Sequence, residues 1–217
     1  MMKNKKGLFI TFEGPEGSGK STQVELLCNV FESNKIPYVK TREPGGTVFA
    51  EKIRSILKDR DLNNTLSIRT EALLFQAARA QHVYEKIRPA LDSGKIVVCD
   101  RYADSSVVYQ GIARGLGKSE IENLNSFSTC NLVPDLTILL DIDPEIGLKR
   151  ADFRESGDVN KDRFEEQGID FHKLVRKAFL ELAKENSKRY RVVHANHDVQ
   201  LIHSHIIIFL RDEFGIL

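Results

Sequence analysis

The stretch Gly14-Pro15-Glu16-Gly17-Ser18-Gly19-Lys20-Ser21 decides the fold of this 217-residue chain. It fits the pattern G-x-x-x-x-G-K-[ST], whose glycines let backbone N–H groups turn inward around a phosphate. A short β-branched and aromatic run, Leu8 to Phe12, comes directly before it and predicts a buried strand. An apolar stripe of helical spacing, from Val24 to Phe31, follows and predicts a helix. A strand, a glycine-rich loop and a helix N-terminus in this order indicate a binding site for nucleotide phosphates.

The rest of the chain alternates short strand-like runs with helical segments. Ile202, Ile206 and Phe209 form the inward stripe of the last predicted helix. This βαβα order predicts an α/β fold in one domain over residues 1–217, with a parallel five-stranded sheet flanked by helices. Ligands are then expected beyond the carboxyl ends of the strands. The further strands are predicted at Tyr38 to Thr41, Ile96 to Cys99, Leu136 to Leu140 and Arg191 to His194.

The composition limits the classes of partner. Lys and Arg number 32 and Asp and Glu 31, which leaves a net charge of +1, so no global field favours nucleic acid or a membrane, and we expect neither as a partner. The 3 cysteines are odd in number and mostly flanked by apolar residues, as is typical of buried free thiols in a reducing compartment. We therefore expect a cytoplasmic protein. Neither a signal peptide nor a membrane-spanning run is expected.

The segment 150–166 breaks the pattern. Few large apolar residues stand among its many charged ones, so it cannot bury much surface. We interpret it as a mobile lid over the site, and the alternative is a solvated loop or helix with no catalytic role. Arg150 and Arg154 lie at i, i+4 spacing and could share one face that points into the cleft.

The glycine-rich motif assigns roles to several residues. Lys20 is expected to reach the β- and γ-phosphates, and the Ser21 hydroxyl to bind the Mg²⁺ that bridges them. Asp100 follows a predicted strand and is placed for the Walker-B role at the same ion. We therefore expect ATP and Mg²⁺ as cofactors. The residues expected to bind the ATP phosphates are Gly14, Pro15, Glu16, Gly17, Ser18, Gly19, Lys20, Ser21 and Thr22.

Four ordered blocks run along nearly the whole chain: Phe12 to Thr22, Thr41-Arg42-Glu43-Pro44-Gly45-Gly46-Thr47, Asp100-Arg101-Tyr102 with Ser105 and Tyr109-Gln110-Gly111, and Pro134-Asp135-Leu136-Thr137. These blocks resemble the thymidylate kinase family. The resemblance implies a P-loop nucleoside-monophosphate-kinase fold with a mobile lid, and in-line phosphoryl transfer from ATP to dTMP without a covalent intermediate. It also implies a homodimer and small-molecule nucleotides as partners. The second and third blocks are specific to that family.

The resemblance also implies separate roles for the residues around the phosphates. The acid at the position of Glu16 faces the 3′-hydroxyl of the acceptor sugar in this family. The residue after it, here Gly17, places the chain in the bacterial-type subgroup, which supplies a catalytic arginine from the lid. Arg154 is the first choice for that arginine and Arg163 the second.

Two further arginines are assigned to phosphate binding. Arg101 comes directly after the predicted Walker-B residue, where a bidentate cation could bridge the donor and acceptor phosphates. A salt bridge to a neighbouring carboxylate is its alternative interpretation. We take Lys20, Arg101 and Arg154 as the catalytic residues. Arg54 matches the family position that holds the dTMP phosphate, although alone it reads as an ordinary helix-surface arginine.

Base recognition is assigned to a pair on one predicted helix, Glu71 to Val83. Phe75 and Arg79 stand at i and i+4, so that the ring could stack on a pyrimidine while the guanidinium donates to thymine O4. By periodicity alone Phe75 would be a core residue, and the family match over Phe75 to Arg79 favours the ligand-binding role.

A second group of three lies after the Asp-Arg-Tyr turn. Ser106, Tyr109 and Gln110 fall at i, i+3 and i+4 of a predicted helix and could face one pocket. The resemblance implies that Ser106 and Gln110 bind the N3/O2 edge of the base and that Tyr109 excludes ribonucleotides. The family usually has alanine before this tyrosine, and this chain has Val108.

Two other functions stay open at this point. The nearest is a kinase for another nucleoside monophosphate, against which Arg79, Phe75 and the Thr41 to Thr47 block argue. The other is a P-loop NTPase that hydrolyses its nucleotide without an acceptor, and no N-K-x-D motif supports its GTPase version.

Overall fold

The structure is a computed structural model that describes residues 7–62, 65–155 and 167–217, with the side chains of 60 and 152–155 excepted. Its strands form one parallel sheet in the order β2-β3-β1-β4-β5. The predicted strands agree with the observed ones within one residue at each end, which confirms the α/β fold class. The strands are β1 (Phe9–Glu13), β2 (Tyr38–Arg42), β3 (Ile96–Asp100), β4 (Leu136–Asp141) and β5 (Tyr190–His194).

Helices cover both faces of this sheet. The third helix runs on through a wide π-type turn at Val83–Ile87, and a second π-type turn at Val107–Ala113 follows the fifth helix. The helices are α1 (Lys20–Ser33), α2 (Val48–Lys58), α3 (Ile68–His82), α4 (Arg88–Asp92), α5 (Ala103–Ser106), α6 (Lys118–Thr129), α7 (Pro144–Glu155), α8 (Ile169–Glu185) and α9 (Val199–Phe214). A short 3₁₀ turn lies at Arg60–Leu62.

The core divides between the two faces because side chains alternate along each strand. Ile10 and Phe12 of β1 pack toward α1 and α9, and Phe9 packs on the opposite face with residues of the α3–α4 region. Burial on both faces is what a parallel sheet requires. The stripe of α9 differs from the prediction at one position: Leu210 is fully buried and Phe209 only partly, since Leu210 continues the i, i+4 row of the two isoleucines.

The sheet order places the phosphate-binding motif at the carboxyl end of the central strand, β1. The neighbouring strand β3 pairs Asp100 with Phe12, so both strands end at the same level. Residues that follow β1, β2 and β3 are therefore brought to one edge of the sheet.

Residues 156–166 lie outside the described part of the chain, and the lid predicted at 150–166 stays a prediction. Within residues 7–62, 65–155 and 167–217, no helix combines the length and the apolar character needed to cross a membrane.

Candidate nucleotide-binding site

The loop at residues 14–19, called the phosphate loop below, joins β1 to α1. Lys20 begins α1 and folds back over this loop, with its Nζ 3.0 Å from the carbonyl oxygen of Gly14 and 2.8 Å from that of Pro15. Burial, together with the nearby Arg101 cation, lowers the pKa of Lys20 to about 8. The ammonium group is therefore charged at neutral pH, at the place where the backbone turns around a phosphate.

Gly17 has no room for a side chain. Its φ of +67° lies in the left-handed region, and a Cβ would meet the backbone oxygen of Gly147 at 1.8 Å. An arginine at position 17 is incompatible with this contact between the phosphate loop and α7. The glycine at position 17 thus has a steric cause in this structure.

Ser21 and Asp100 meet beside the phosphate loop. Ser21 Oγ donates to Asp100 Oδ2 at 2.5 Å, across the gap between α1 and the end of β3. A hydroxyl and a carboxylate are the oxygen ligands that Mg²⁺ prefers. The two residues predicted to hold the metal are therefore adjacent.

Arg101 links the phosphate loop to the turn after β3. Its Nη2 donates to Glu16 Oε1 at 2.7 Å, and the Tyr109 hydroxyl donates to the same oxygen at 3.0 Å. Its Nη1 donates to the Gly14 carbonyl and to Ser105 Oγ, each at 3.1 Å. The salt bridge that was the alternative interpretation of Arg101 is present, and its partner is the carboxylate of the phosphate loop.

This ion pair is charged at physiological pH. Burial would raise the pKa of Glu16, but the Arg101 and Lys20 cations and the Tyr109 hydroxyl together lower it to about 2. Burial would lower the pKa of Arg101, but the Glu16 carboxylate and the acids near it raise it above its ordinary value.

A cleft of about 350 Å³ opens beside the phosphate loop, within the size range of small-molecule sites. Lys20, Ser21 and Asp100 line it. It also brings together every residue predicted for the acceptor, namely Glu16, Arg54, Phe75, Arg79, Arg101, Ser106, Tyr109 and Gln110. Of the predicted loop residues, Gly14, Pro15 and Ser18 lie behind its lining and contact the Lys20 ammonium. Thr22 is exposed on α1.

Arg79 is the largest buried side chain at the floor of this cleft. Its Nε donates to Glu43 Oε2 at 2.7 Å, and its Nη1 donates to Asn125 Oδ1 at 2.8 Å and to Gln76 Oε1 at 3.2 Å. Its Nη2 donates to Ser106 Oγ at 3.0 Å and to the carbonyl of Tyr102. All five N–H groups thus have protein partners, and Nη2 is the one whose partners, Tyr102 and Ser106, both line the cleft.

Gln110 is oriented by a carboxylate that the sequence interpretation missed. Its Nε2 donates to Glu71 Oε1 at 2.8 Å, and both side chains are buried. The amide thus turns its NH₂ group toward Glu71. Oε1 of Gln110 is then left as an acceptor on a residue that lines the cleft.

Phe75 and Arg54 complete the wall formed by α2 and α3. Phe75 is half-buried, packs against the cluster between these helices and also lines the cleft, so its ring is accessible from the cleft while it contributes to the core. Arg54 Nη1 donates to the carbonyl of Pro44 at 2.7 Å, which draws its guanidinium over the loop after β2.

The lid arginines are only partly described. Arg150 Nη1 donates to the Ala195 carbonyl at 2.8 Å, on the loop after β5, and Arg150 is not among the residues that line the cleft. The structure therefore does not bring Arg150 to the cleft as its helical spacing predicted, and its guanidinium contacts the backbone after β5. The side chain of Arg154 and all of Arg163 lie outside the described residues.

Three buried polar residues of this region carried no functional prediction: Glu43, Glu71 and His82. Glu43 accepts from Arg79 and contacts His82 Nδ1 at 3.0 Å. A polar residue on the apolar face of a predicted helix was the available signal for Glu71 and His82. Their partners lie 36 to 41 residues away along the chain, which no local pattern indicates.

The fold and the cleft define a P-loop protein with a polar cleft beside its phosphate loop. The profile of the thymidylate kinase family matches residues 12–206. The chain is 48% identical over 199 residues to the thymidylate kinase of Symbiobacterium thermophilum, covering 92% of this chain and 90% of that one. It is 44% identical over 206 residues to that of Clostridium novyi, covering 95% and 99%.

A solved structure agrees with these sequence comparisons. The thymidylate kinase of Ehrlichia chaffeensis superimposes with a TM-score of 0.76 at 32% identity, over 94% of this chain and 99% of that one. The chain belongs to the thymidylate kinase family, which confirms the resemblance found in its motifs.

Proposed function

We propose that this protein transfers the γ-phosphoryl group of ATP to dTMP, giving ADP and dTDP. The observation that carries the proposal is that Arg79 and Gln110, each held by its own protein partners, line one cleft next to the phosphate loop. Thymine presents an acceptor at O4 and a donor at N3. Arg79 Nη2 would donate to O4 in exchange for its bond to Ser106 Oγ or to the Tyr102 carbonyl, and Glu71 leaves Gln110 Oε1 as an acceptor. Cytosine reverses both polarities, so the same pair disfavours it.

The sugar is assigned to Glu16 and Tyr109. Glu16 is ionised, with Oε1 occupied by Arg101 and Tyr109, which leaves its second oxygen, Oε2, as the acceptor for a 3′-hydroxyl. Tyr109 is buried, and its ring lies between Phe171 and Phe179 at centroid distances of 6.2 and 6.1 Å. A ring held in this way resists displacement, which supports its role in excluding a 2′-hydroxyl.

The phosphates are assigned to the cations around the loop. We assign the acceptor phosphate to Arg54 and the space between the donor and acceptor phosphates to Arg101. Lys20 would exchange its loop carbonyls for the β- and γ-phosphate oxygens of ATP. Because an acceptor phosphate oxygen is already nucleophilic, the residues need only align it in line with the γ-phosphorus and neutralise charge.

The oxygen pair of Ser21 and Asp100 fits Mg²⁺, and we propose that these residues hold it. When bound, the ion neutralises charge on the β- and γ-phosphate oxygens. Arg154 stays our proposal for a catalytic lid arginine. An arginine that a closing lid brings to the transferred phosphoryl group typically contributes about 10³- to 10⁵-fold to the rate.

The test is ADP release from ATP and Mg²⁺ in a coupled assay with dTMP, dUMP, dCMP, UMP, AMP or no acceptor. We expect rapid release with dTMP, slower release with dUMP and little release with dCMP. Release that does not depend on the acceptor would make the protein an NTPase, and a preference for dCMP or UMP would make it a kinase for another nucleotide.

We also propose that the protein is a homodimer that pairs through α2, α3 and α6. α3 packs against both of the other helices, and these helices expose large apolar side chains to solvent. Those most exposed are Val48 at 76%, Leu73 at 56% and Phe127 at 86%.

Sedimentation velocity tests this interface. Leu73→Glu and Phe127→Glu should each convert the dimer to a monomer, because a charge would be buried without a partner. Ile208→Glu is the matched control, since Ile208 is 45% exposed on α9, outside this set of helices. A monomeric wild type, or a dimer that survives both substitutions, would contradict the proposal.

The cytoplasm is the compartment that we propose. Cys28, Cys99 and Cys130 are free thiols, and the first two are buried. Free thiols suit a reducing compartment.

A further inference from the structure

The block Thr41 to Thr47 is specific to the family, yet the proposed function uses none of its side chains. Two of its polar members, Thr41 and Glu43, connect to Arg79 instead, whereas Arg42 pairs with Glu51 and Thr47 caps α2. Glu43 Oε2 accepts from Arg79 Nε at 2.7 Å, Glu43 Oε1 contacts His82 Nδ1 at 3.0 Å, and His82 Nε2 contacts Thr41 Oγ1 at 2.7 Å. The four side chains form one continuous chain of hydrogen bonds that starts at the base-reading guanidinium and ends away from the cleft.

We propose that Thr41 and His82 are positioning residues, which hold the Glu43 carboxylate so that Arg79 keeps the orientation needed to read the base. This inference rests on the proposed function, since it assigns a cause to the specificity of the same site. Neither Thr41 nor His82 lines the cleft. Any effect on the substrate must therefore pass through Glu43 and Arg79.

Donor and acceptor chemistry fixes the positions of most protons in this chain of hydrogen bonds. Glu43 is ionised, because burial would raise its pKa but the Arg79 cation and His82 lower it. A carboxylate only accepts, so His82 carries a proton on Nδ1. In the neutral ring Nε2 then accepts from the Thr41 hydroxyl. Each link thus orients the next one, as outer partners orient the ligands of a metal site.

Burial makes each of these links costly to lose. Arg79 is 2% exposed, Glu43 5%, His82 0% and Thr41 7%, so water cannot replace a missing partner. Gly46 packs against the end of the hydrogen-bond chain that lies farthest from Arg79. Gly46 has a φ of +86°, and a Cβ there would lie 2.5 Å from both His82 Nε2 and Thr41 Oγ1. The glycine therefore leaves room for the hydrogen bond between Thr41 and His82, and so supports the same chain of hydrogen bonds as Glu43.

The side-chain torsions of Arg79 do not by themselves fix the plane of its guanidinium, so its protein partners set that orientation. The Glu43 contact fixes the Nε edge, and Nη2 is then directed toward Ser106 and the cleft. A Glu43 carboxylate without His82 is held on one side only. We expect a less precise donor position, weaker binding of the base and weaker rejection of cytosine.

Steady-state kinetics with four variants tests the inference. Thr41→Val removes only the hydroxyl, Thr41→Ser keeps it, and His82→Leu removes both ring nitrogens. Thr11→Val is the matched control: Thr11 is also buried and bonded to a hydroxyl, that of Thr137 at 2.9 Å, and has no link to Arg79. KM for dTMP, KM for ATP, kcat and the thermal midpoint are measured for each, together with the kcat/KM ratio of dTMP to dCMP.

The expected result is a selective effect on the base. Thr41→Val should raise KM for dTMP about 3- to 10-fold and His82→Leu about 10- to 100-fold, as for loss of an outer partner of a ligand. The dTMP to dCMP ratio should fall by a similar factor, while KM for ATP and kcat change less than about twofold. Thr41→Ser and Thr11→Val should keep the wild-type KM for dTMP.

The experiment distinguishes failure of the positioning role from failure of the proposed function. If the wild type turns over dTMP and Thr41→Val keeps the wild-type KM and dTMP to dCMP ratio, the positioning role is wrong and the proposed function stands. If Thr41→Val lowers the thermal midpoint and changes all kinetic constants alike, its role is structural and the inference is also overturned. If the wild type does not convert dTMP at all, the proposed function itself fails.

Discussion

Glu13, the last residue of β1, is a buried carboxylate whose charge should cost stability. It is 0% exposed and lies directly before the phosphate loop. The backbone N–H of Tyr102 donates to its Oε1 at 2.8 Å, and the Ser105 hydroxyl donates to its Oε2 at 2.6 Å. Burial and the nearby Asp104 carboxylate raise its pKa from 4.5 to about 7, against the opposing effect of Arg101.

The shift sets the size and the sign of the effect of Glu13→Gln. A rise of the pKa from 4.5 to about 7 corresponds to about 3 kcal/mol of lost stability for the ionised form. Above pH 7 the wild type bears this cost and the glutamine variant does not. As the pH falls from about 7 to 4.5, the folded wild type takes up a proton before the unfolded chain does, and the cost disappears. Glu13→Gln should therefore be more stable by about 3 kcal/mol at pH 8 and about equal to wild type near pH 4.5.

Urea unfolding followed by circular dichroism at pH 8, 7, 6 and 5 measures this difference. Subtracting the wild-type free energy of unfolding at each pH cancels the other titrating groups. Glu51→Gln is the control of opposite sign: burial would raise the pKa of Glu51, but the Gly46 N–H and Arg42 lower it. A Glu13→Gln variant that is less stable than wild type at pH 8, or a difference that does not shrink with falling pH, would refute the reasoning.

Three further substitutions have definite expected results. Gly17→Ala should destabilise the protein by about 3 kcal/mol or more in urea unfolding, because its Cβ would meet the Gly147 oxygen at 1.8 Å, and a wild-type midpoint would contradict this. Arg101→Lys should lower kcat by about 10²- to 10³-fold with an unchanged circular dichroism spectrum, since a lysine cannot make the fork to Glu16 and Gly14, and a kcat within threefold of wild type would remove Arg101 from catalysis. Ser21→Ala should shift the Mg²⁺ dependence of the rate to at least about tenfold higher concentration, and an unchanged Mg²⁺ titration would show that Ser21 holds no metal.

The backbone of this fold was predictable because local patterns determine it. Each strand is a short β-branched or apolar run, and burial on both faces of a parallel sheet makes such runs stand out. The phosphate loop was predictable because its glycines and Lys20 stand at fixed spacing along the chain. Leu210 was left out of the predicted stripe because five apolar residues in a row on α9, Ile206 to Leu210, leave the phase of the stripe undetermined.

The polar interior of the cleft was predictable only in part. Phe75 and Arg79, and Ser106 with Gln110, were found as helical pairs on the family likeness. Their partners were not found, because pairing over long sequence separations depends on how helices pack. Ser106 to Gln110 also lie across the junction of α5 with a π-type turn, where the spacing of 3.6 residues per turn no longer holds.

The account's central claim is that the phosphoryl group goes to the thymine nucleotide. The most direct measurement uses γ-³²P-labelled ATP with dTMP and Mg²⁺, and separates the products by chromatography. We predict that the label appears in dTDP in equal amount to the ADP formed, and that little label reaches dCMP under the same conditions. Label released as inorganic phosphate, or carried to dCMP in preference to dTMP, would contradict it.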